Sequence, residues 1–374
     1  MAPEEFGLFG IGFALVMVLN GFWQGFFIVQ YLVLAPTEDS LRFPAQVYTA
    51  MVLVSVVTGA LMILVAAVLQ GLFGIGLFAL GIGGSAIAFS LKEFHIRYAF
   101  SIGKGSQAVW VNGLMAVSLV LFLGVAQLAD LELSANIIFA LYALVVAIAA
   151  LFGHFLSELA LAGHRRSDLY TTIRKLAKGG KWAIATNVIF SLRNNAHVIV
   201  LAMIMGPTGV ARLNAARLFV TPPLLLLPAL SNVVLPYFAR TYHEGGLVAL
   251  RAMQKYAGAA FLAMLLGYTA LLLFAWSYLE TILVEDQYQG LAPLVAAWCA
   301  FAAILALRSI IDWGAQVERR FALITKISVG VTFLALTAAV ALTLALGPMG
   351  AVLAIILAEF VMAAVLWMTL SRRI

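Results

Sequence analysis

Apolar runs of about twenty residues or more, each bounded by charges or turn signals, recur along the whole chain. They lie at 9–33, 47–69, 71–91, 108–128, 135–157, 182–205, 213–239, 256–279, 290–311, 326–346 and 349–370. A helix of about twenty apolar residues crosses the ~30 Å hydrocarbon core of a bilayer. In lipid, only helices and closed barrels satisfy their own backbone groups. The pattern therefore predicts an all-α integral membrane protein with about eleven transmembrane helices. Composition agrees: 64% of the 374 residues are hydrophobic and 10% charged, with a mean hydropathy of +1.07. A soluble domain is about half apolar and a quarter charged.

The net charge of +6 is explained by where the basic residues fall. The connections after the odd-numbered runs, together with the C-terminal "SRRI", hold 19 of the 22 Lys and Arg. The opposite side reads "MAPEEF", "ADLELS", "GPTGVAR", "ETILVEDQYQ" and "GPMG", which are mostly acidic or neutral. Basic loops stay in the cytoplasm, so the C-terminus is expected inside and the N-terminus outside. Nucleic acid is not an expected partner. Residues 1 to 8 carry Glu4 and Glu5 and no basic n-region, so no cleavable signal peptide is expected. The single cysteine, Cys299, excludes a disulfide framework and reads as a small hydrophobe.

The chain repeats itself. "APEEFGLFGIG" at the start matches "GPTGVARLNAA" at 206 with an offset of 204, each a turn leading into a long run. The expected organisation is a first half at 1–164 with five spans and a second half at 182–374 with six. The basic linker at 165–181 joins them, as an amphipathic interfacial helix or a solvated loop. Six spans per repeat is an even number, so the halves are parallel, pseudo-symmetric copies. On this reading, the span that would precede "APEEF" is absent.

One run contradicts its own apolar character. "NVIFSLRNNAHVIVLAMIMGP", 187–207, places Arg193, Asn194 and His197 at membrane depth, where a charge costs at least roughly 2.5–3.5 kcal/mol. At ~100° per residue, Thr186, Arg193 and His197 share a narrow arc, with Asn187, Ser191 and Asn194 beside it, and aliphatic residues cover the other side. Two readings are open. Arg193 could offer a planar fork of donors to an anionic headgroup, or it could form a buried ion pair with Glu359.

Arg217, about one turn into the next run, and Arg212, in the outer turn, are the other basic residues off the cytoplasmic side. Either could attract an anion, and Arg212 could equally snorkel to the interface. The same run holds Pro222, Pro223, Pro228 and Pro236, so its helix must kink or break, as a hinge or as a static bend. Asn20 and Gln24, four residues apart around Trp23, could bind sugar hydroxyls or bond to a neighbouring helix. The glycine-rich run at 71–84 reads as close helix packing, and "GKGS" at 103–106 is not a nucleotide loop.

The stretch "GKWAIATNVIFSLRNNAHVIVLAMIMGPTGVARLNAARLFVTPPLLLLPALSNVVLPYFAR" resembles the start of the second half of Wzx-type polysaccharide (O-antigen) flippases. These belong to the multidrug/oligosaccharidyl-lipid/polysaccharide (MOP) superfamily. "APEEFGLF" is similar to that family's outer turn after its first helix, "LVEDQYQGLAPLVAAWCAFAAILAL" to its outer segment and following helix, and "GPMGAVLAIILAEFVMAAVLW" to its Gly-Pro-x-Gly turn into a Glu-bearing helix. The resemblance covers nearly the whole chain and departs at the missing first helix. It implies a multi-pass protein of the bacterial inner membrane with a cationic cavity between its halves. Such a protein carries a polyprenyl-diphosphate-linked oligosaccharide to the outer leaflet by alternating access, alongside membrane lipid, a polysaccharide polymerase and other assembly proteins. Arg193, Arg217, Arg212, Asn194, Asn187, His197, Asn20 and Gln24 are then the expected substrate contacts, and Pro222, Pro223 and Pro228 the expected hinge.

No cofactor or metal site is expected, and enzyme chemistry is disfavoured. The histidines match no H-E-x-x-H motif, and no G-x-S-x-G occurs. His154 and Glu158, one turn apart, are only weakly suggestive of a metal pair. The alternatives are a MATE-like exporter of small cations, which calls for acidic residues within spans, or a truncated, non-transporting membrane scaffold. The topology is directly testable: a reporter fused after Ile374 is expected to act as cytoplasmic and one fused before Met1 as external. The opposite outcome contradicts the charge and repeat argument.

Overall fold

The computed structural model describes residues 2–35, 42–159, 161, 166–283, 288–318 and 320–371. These are almost wholly helical and contain no strand. In chain order the helices are α1 (Pro3–Leu34), α2 (Phe43–Phe73), α3 (Gly76–Ser101), α4 (Gly105–Leu128), α5 (Ala135–Ser157), α6 (Arg166–Leu218), α7 (Thr221–Phe274), the short α8 (Trp276–Leu283), α9 (Ala292–Val317), α10 (Phe321–Leu346) and α11 (Pro348–Ser371). Ten helices among the described residues are long and apolar enough to cross a membrane.

The expected run at 213–239 is divided. Helix α6 breaks at Gly206, whose φ of 69° is left-handed, and resumes at Pro207. Phe219 and Val220 then form a turn before α7 starts at Thr221. Pro222 and Pro223 sit in the first turn of α7, where a missing N–H costs nothing because that donor has no helical partner. The backbone within α7 departs from helical geometry at Gly246 (φ 67°). The side chains of Thr186, Pro228 and Pro236 lie outside the described set.

Several charged residues expected in connections are buried within helices instead. Lys92 is in α3, Arg251 in α7, and Arg308 in α9, paired there with the half-buried Asp312. Each has partners that make burial tolerable. Lys92 bonds Asn112 and pairs with Glu93 at 3.1 Å, and Arg251 pairs with Glu318 at 2.7 Å. The helices therefore run on past the apolar runs.

The chain forms two compact units, Met1–Ser191 and Leu192–Ile374, divided within α6. In the first unit α3 is central and packs on α1, α2, α4 and α5. Its small residues permit this: a Cβ at Gly81 would stand only 2.8 Å from that of Phe139, whose ring also meets Phe9 and Phe78. An aromatic cluster around Trp23, Phe27, Tyr31, Phe43 and Phe94 also takes in Leu176, with Ile173 against it, from the start of α6. The apolar stripe of the basic linker is thus spent on packing within this unit, while Arg174, Lys175 and Lys178 stay exposed.

In the second unit α9 lies against α7 and α11, and α10 against α11. Gly347 (φ 61°) turns α10 into α11, and Gly350 passes so close to the Leu342 carbonyl that no side chain fits there. Val200 of α6 packs with Ala338, Ala339 and Ala354.

Candidate functional site

The polar face of α6 meets the centre of the second unit. Arg193 is 2% exposed, its Nη1 donates to Ser328 Oγ at 2.7 Å, and its Nε lies 3.8 Å from Glu359 Oε1. The other oxygen of Glu359 accepts from Arg308 Nε at 2.7 Å. Arg308 also reaches Asp312 Oδ2 at 3.4 Å, and Gln316 donates to that same oxygen at 3.3 Å. Four helices thus contribute to one cluster of two guanidiniums and two carboxylates, formally neutral, with the Glu359 side chain 1% accessible. Of the two readings left open for Arg193, the buried ion pair with Glu359 is present.

A second constellation lies further along α6, past the break at Gly206. The Arg217 guanidinium sits over the Trp298 ring, 5.4 Å from its centroid, within the range of a cation–π contact. Trp298 is fully buried and held by its indole N–H, which donates to the Leu213 carbonyl at 3.2 Å. The His197 ring meets the same indole edge-on at 5.6 Å, is 2% exposed, and has neither ring nitrogen hydrogen-bonded among the described residues. No carboxylate among the described residues pairs with Arg217. Arg212 is exposed and donates to the Gln289 carbonyl at 3.3 Å, and Asn194 is half-buried on α6.

The remaining expected contacts lie in the first unit. Asn20 is buried and accepts from Ser90 at 2.8 Å, which is the interhelical bond that was one of its two readings. Gln24 is half-buried and opens a π-helical turn, Gln24–Ile28, within α1. Asn187 is half-buried and donates to the Ala183 carbonyl one turn back. Sequence reasoning brought Arg193, His197 and Arg217 to one unit but missed Arg308, Asp312 and Trp298. Arg308, Asp312 and Gln316 recur every four residues along α9, a spacing that puts them on one face and would have revealed them. Among the described residues, no three of His, Cys, Asp and Glu converge on a metal-binding point.

The fold is shared with solved transporters. A multidrug resistance MATE family transporter of the MOP superfamily, in an inward-facing conformation, aligns over 100% of this chain and 91% of its own, with a TM-score of 0.72 and 14% identity. The lipid II flippase MurJ, in an inward closed conformation, aligns over 98% and 82%, with a TM-score of 0.75 and 12% identity. A Vibrio cholerae MATE transporter aligns over 98% and 86%, with a TM-score of 0.61 and 15% identity. No family model matches the sequence, and no curated protein matches it.

Removing one member of a buried ion pair leaves the other charge uncompensated, at a cost of about 3–5 kcal/mol. Glu359→Gln, which removes the carboxylate shared by Arg193 and Arg308, is therefore expected to lower the stability of the purified protein by about that amount, read from thermal unfolding in detergent. Combining it with Arg193→Met should cost less than the two changes summed, by ~0.5–3 kcal/mol. Strict additivity contradicts the shared pair.

Proposed function

We propose that this chain is a flippase of the MOP superfamily that moves a polyprenyl-diphosphate-linked oligosaccharide from the inner to the outer leaflet by alternating access. The observation that carries the reading is the charge balance at membrane depth in the second unit. Three guanidiniums, Arg193, Arg308 and Arg217, stand against two carboxylates, Glu359 and Asp312. Both carboxylates are engaged by arginine, and Arg217 has no carboxylate among the described residues. The uncompensated charge is positive, which suits an anionic headgroup.

Arg217 is then the principal contact to the diphosphate, with Asn194 a further donor and Arg212 drawing the headgroup towards the outer side. Arg193 acts through Glu359, fixing the polar face of α6. His197, edge-on to the same indole, completes the polar lining within the second unit, and the turn before Pro222 and Pro223 supplies a hinge. The fold likeness to a lipid II flippase supports this reading. The likeness to MATE transporters supports export of small molecules, but a cationic substrate calls for an acidic residue not already held by arginine. A cytoplasmic C-terminus, an inner-membrane location and polymerase and assembly partners belong to the same proposal.

A charge-assisted bond to an ionised group contributes about 1.5–3 kcal/mol, or about ten- to a hundredfold in affinity. Arg217→Ala is expected to cut surface glycan, scaled to protein in the membrane, by about that factor while accumulation stays normal. Arg217→Lys should keep part of the activity, since the charge survives and the fork is lost. Leu192→Ala should transport normally. Normal export by Arg217→Ala contradicts the assignment, as does a scaffold-like failure of the wild-type chain to restore glycan display in a flippase-null strain.

A further inference from the structure

The break ahead of α7 takes backbone carbonyls away from their helical donors. In a continuous helix the carbonyls of Leu218 and Phe219 would accept from the amides four residues on. Those residues are Pro222 and Pro223, which have no N–H. The last carbonyls of any helix need other partners, and hydrocarbon offers none. The chain meets part of this need locally, where the Val220 N–H and the Thr221 hydroxyl both donate to the Arg217 carbonyl at 3.0 Å.

The Phe219 carbonyl is served from 49 residues further on. Tyr268 lies on the returning limb of α7, beyond the discontinuity at Gly246, and its hydroxyl donates to that carbonyl. The Phe219 ring is held as well. The buried indole of Trp276, the first residue of α8, makes a T-shaped contact with it at 5.2 Å. Trp276 is fixed in turn, its indole N–H donating to Glu280 Oε2 at 2.9 Å, while Glu280 Oε1 accepts from the Gly290 amide at 2.8 Å. Backbone and side chain of the residue at the break are thus both clasped.

The clasp bears on Arg217, two positions upstream. One turn before Arg217, the Leu213 carbonyl accepts from the indole of Trp298, the ring over which the Arg217 guanidinium sits. The end of α6 is therefore pinned on both sides of Arg217, to α9 at Leu213 and to α7 at Phe219. Without the Tyr268 hydroxyl, the Phe219 carbonyl would be left in an apolar interior, and the turn would gain by rotating towards another donor. Arg217 would rotate with it. We infer that Tyr268 is a positioning residue for Arg217: its hydroxyl stands in for the amide that Pro223 lacks, holds the Phe219–Val220 turn in one geometry, and so presents the guanidinium to the headgroup. The inference rests on the assignment of the headgroup to Arg217.

The test uses the purified full-length chain in phospholipid nanodiscs. Spin labels on cysteines placed at the exposed positions Thr208 and Tyr237 span the break, in a Cys299→Ala background, and pulsed electron–electron resonance reads their separation. A single narrow distance is expected with Tyr268 present. Tyr268→Phe, which keeps the ring and loses the hydroxyl, should broaden it, and adding Pro223→Ala should narrow it again, because the restored amide can serve the carbonyl. Binding of a fluorescent polyprenyl diphosphate should weaken about two- to tenfold in Tyr268→Phe, the loss of one hydrogen bond. The same change made in Arg217→Ala should have no further effect on binding, since the group to be positioned is gone. An unbroadened distance in Tyr268→Phe overturns the inference, as does an equal loss of affinity in both backgrounds, which is what a purely structural tyrosine gives. If Arg217→Ala binds as tightly as wild type, the headgroup assignment falls and takes the positioning role with it. If Arg217→Ala loses affinity while Tyr268→Phe does not, the positioning role falls alone.

Discussion

Glu359 joins two arginines from different helices in a place where none of the three charges is tolerable alone. One oxygen faces Arg193 of α6 and the other accepts from Arg308 of α9. A carboxylate so shared fixes the azimuth of both helices, since rotating either would expose an uncompensated charge to an apolar interior. Four of the second unit's helices are registered by this one group, with Ser328 of α10 taking the remaining reach of Arg193. The placement of Trp298, and through it of Arg217 and His197, follows from the same registration of α6 against α9.

The cluster also isolates what is left over. Within the unit, Glu359 is shared by two guanidiniums and Asp312 pairs with Arg308, while Arg217 stands over an aromatic face with its charge uncompensated among the described residues. An aromatic ring attracts a cation without neutralising it, which leaves the guanidinium able to take up an anion. On the function proposed above, the sign of the substrate is set by this surplus of one arginine.

Much of this was legible in the sequence, because in lipid the length of an apolar run dictates a helix almost regardless of tertiary context. A helix over most of the expected runs, though not a single one over 213–239, the anomaly at Arg193, and Glu359 as its partner could all be read from the sequence. What could not be read was which charges at the ends of runs remain inside. Arg308 and Asp312 looked like loop residues because hydropathy averages over a window and does not register an i, i+4 pair that neutralises itself. The linker at 165–181 was left open between an interfacial helix and a solvated loop because periodicity reveals an apolar face without saying what covers it. Leu176 is covered by the aromatic cluster of the first unit. The prolines announced a discontinuity correctly in kind; its position, just ahead of Pro222, depends on their being harmless in a first turn.

On the proposed function, the uncompensated positive charge at Arg217 selects an anionic lipid-linked substrate. This selection is tested most directly by reconstituting the purified chain in liposomes with a fluorescent polyprenyl-diphosphate oligosaccharide and following its appearance in the opposite leaflet. The account predicts protein-dependent flipping that is competed by polyprenyl diphosphate and not by uncharged polyprenol. Efflux of a cationic dye by the same vesicles, with no movement of the glycolipid, would contradict it.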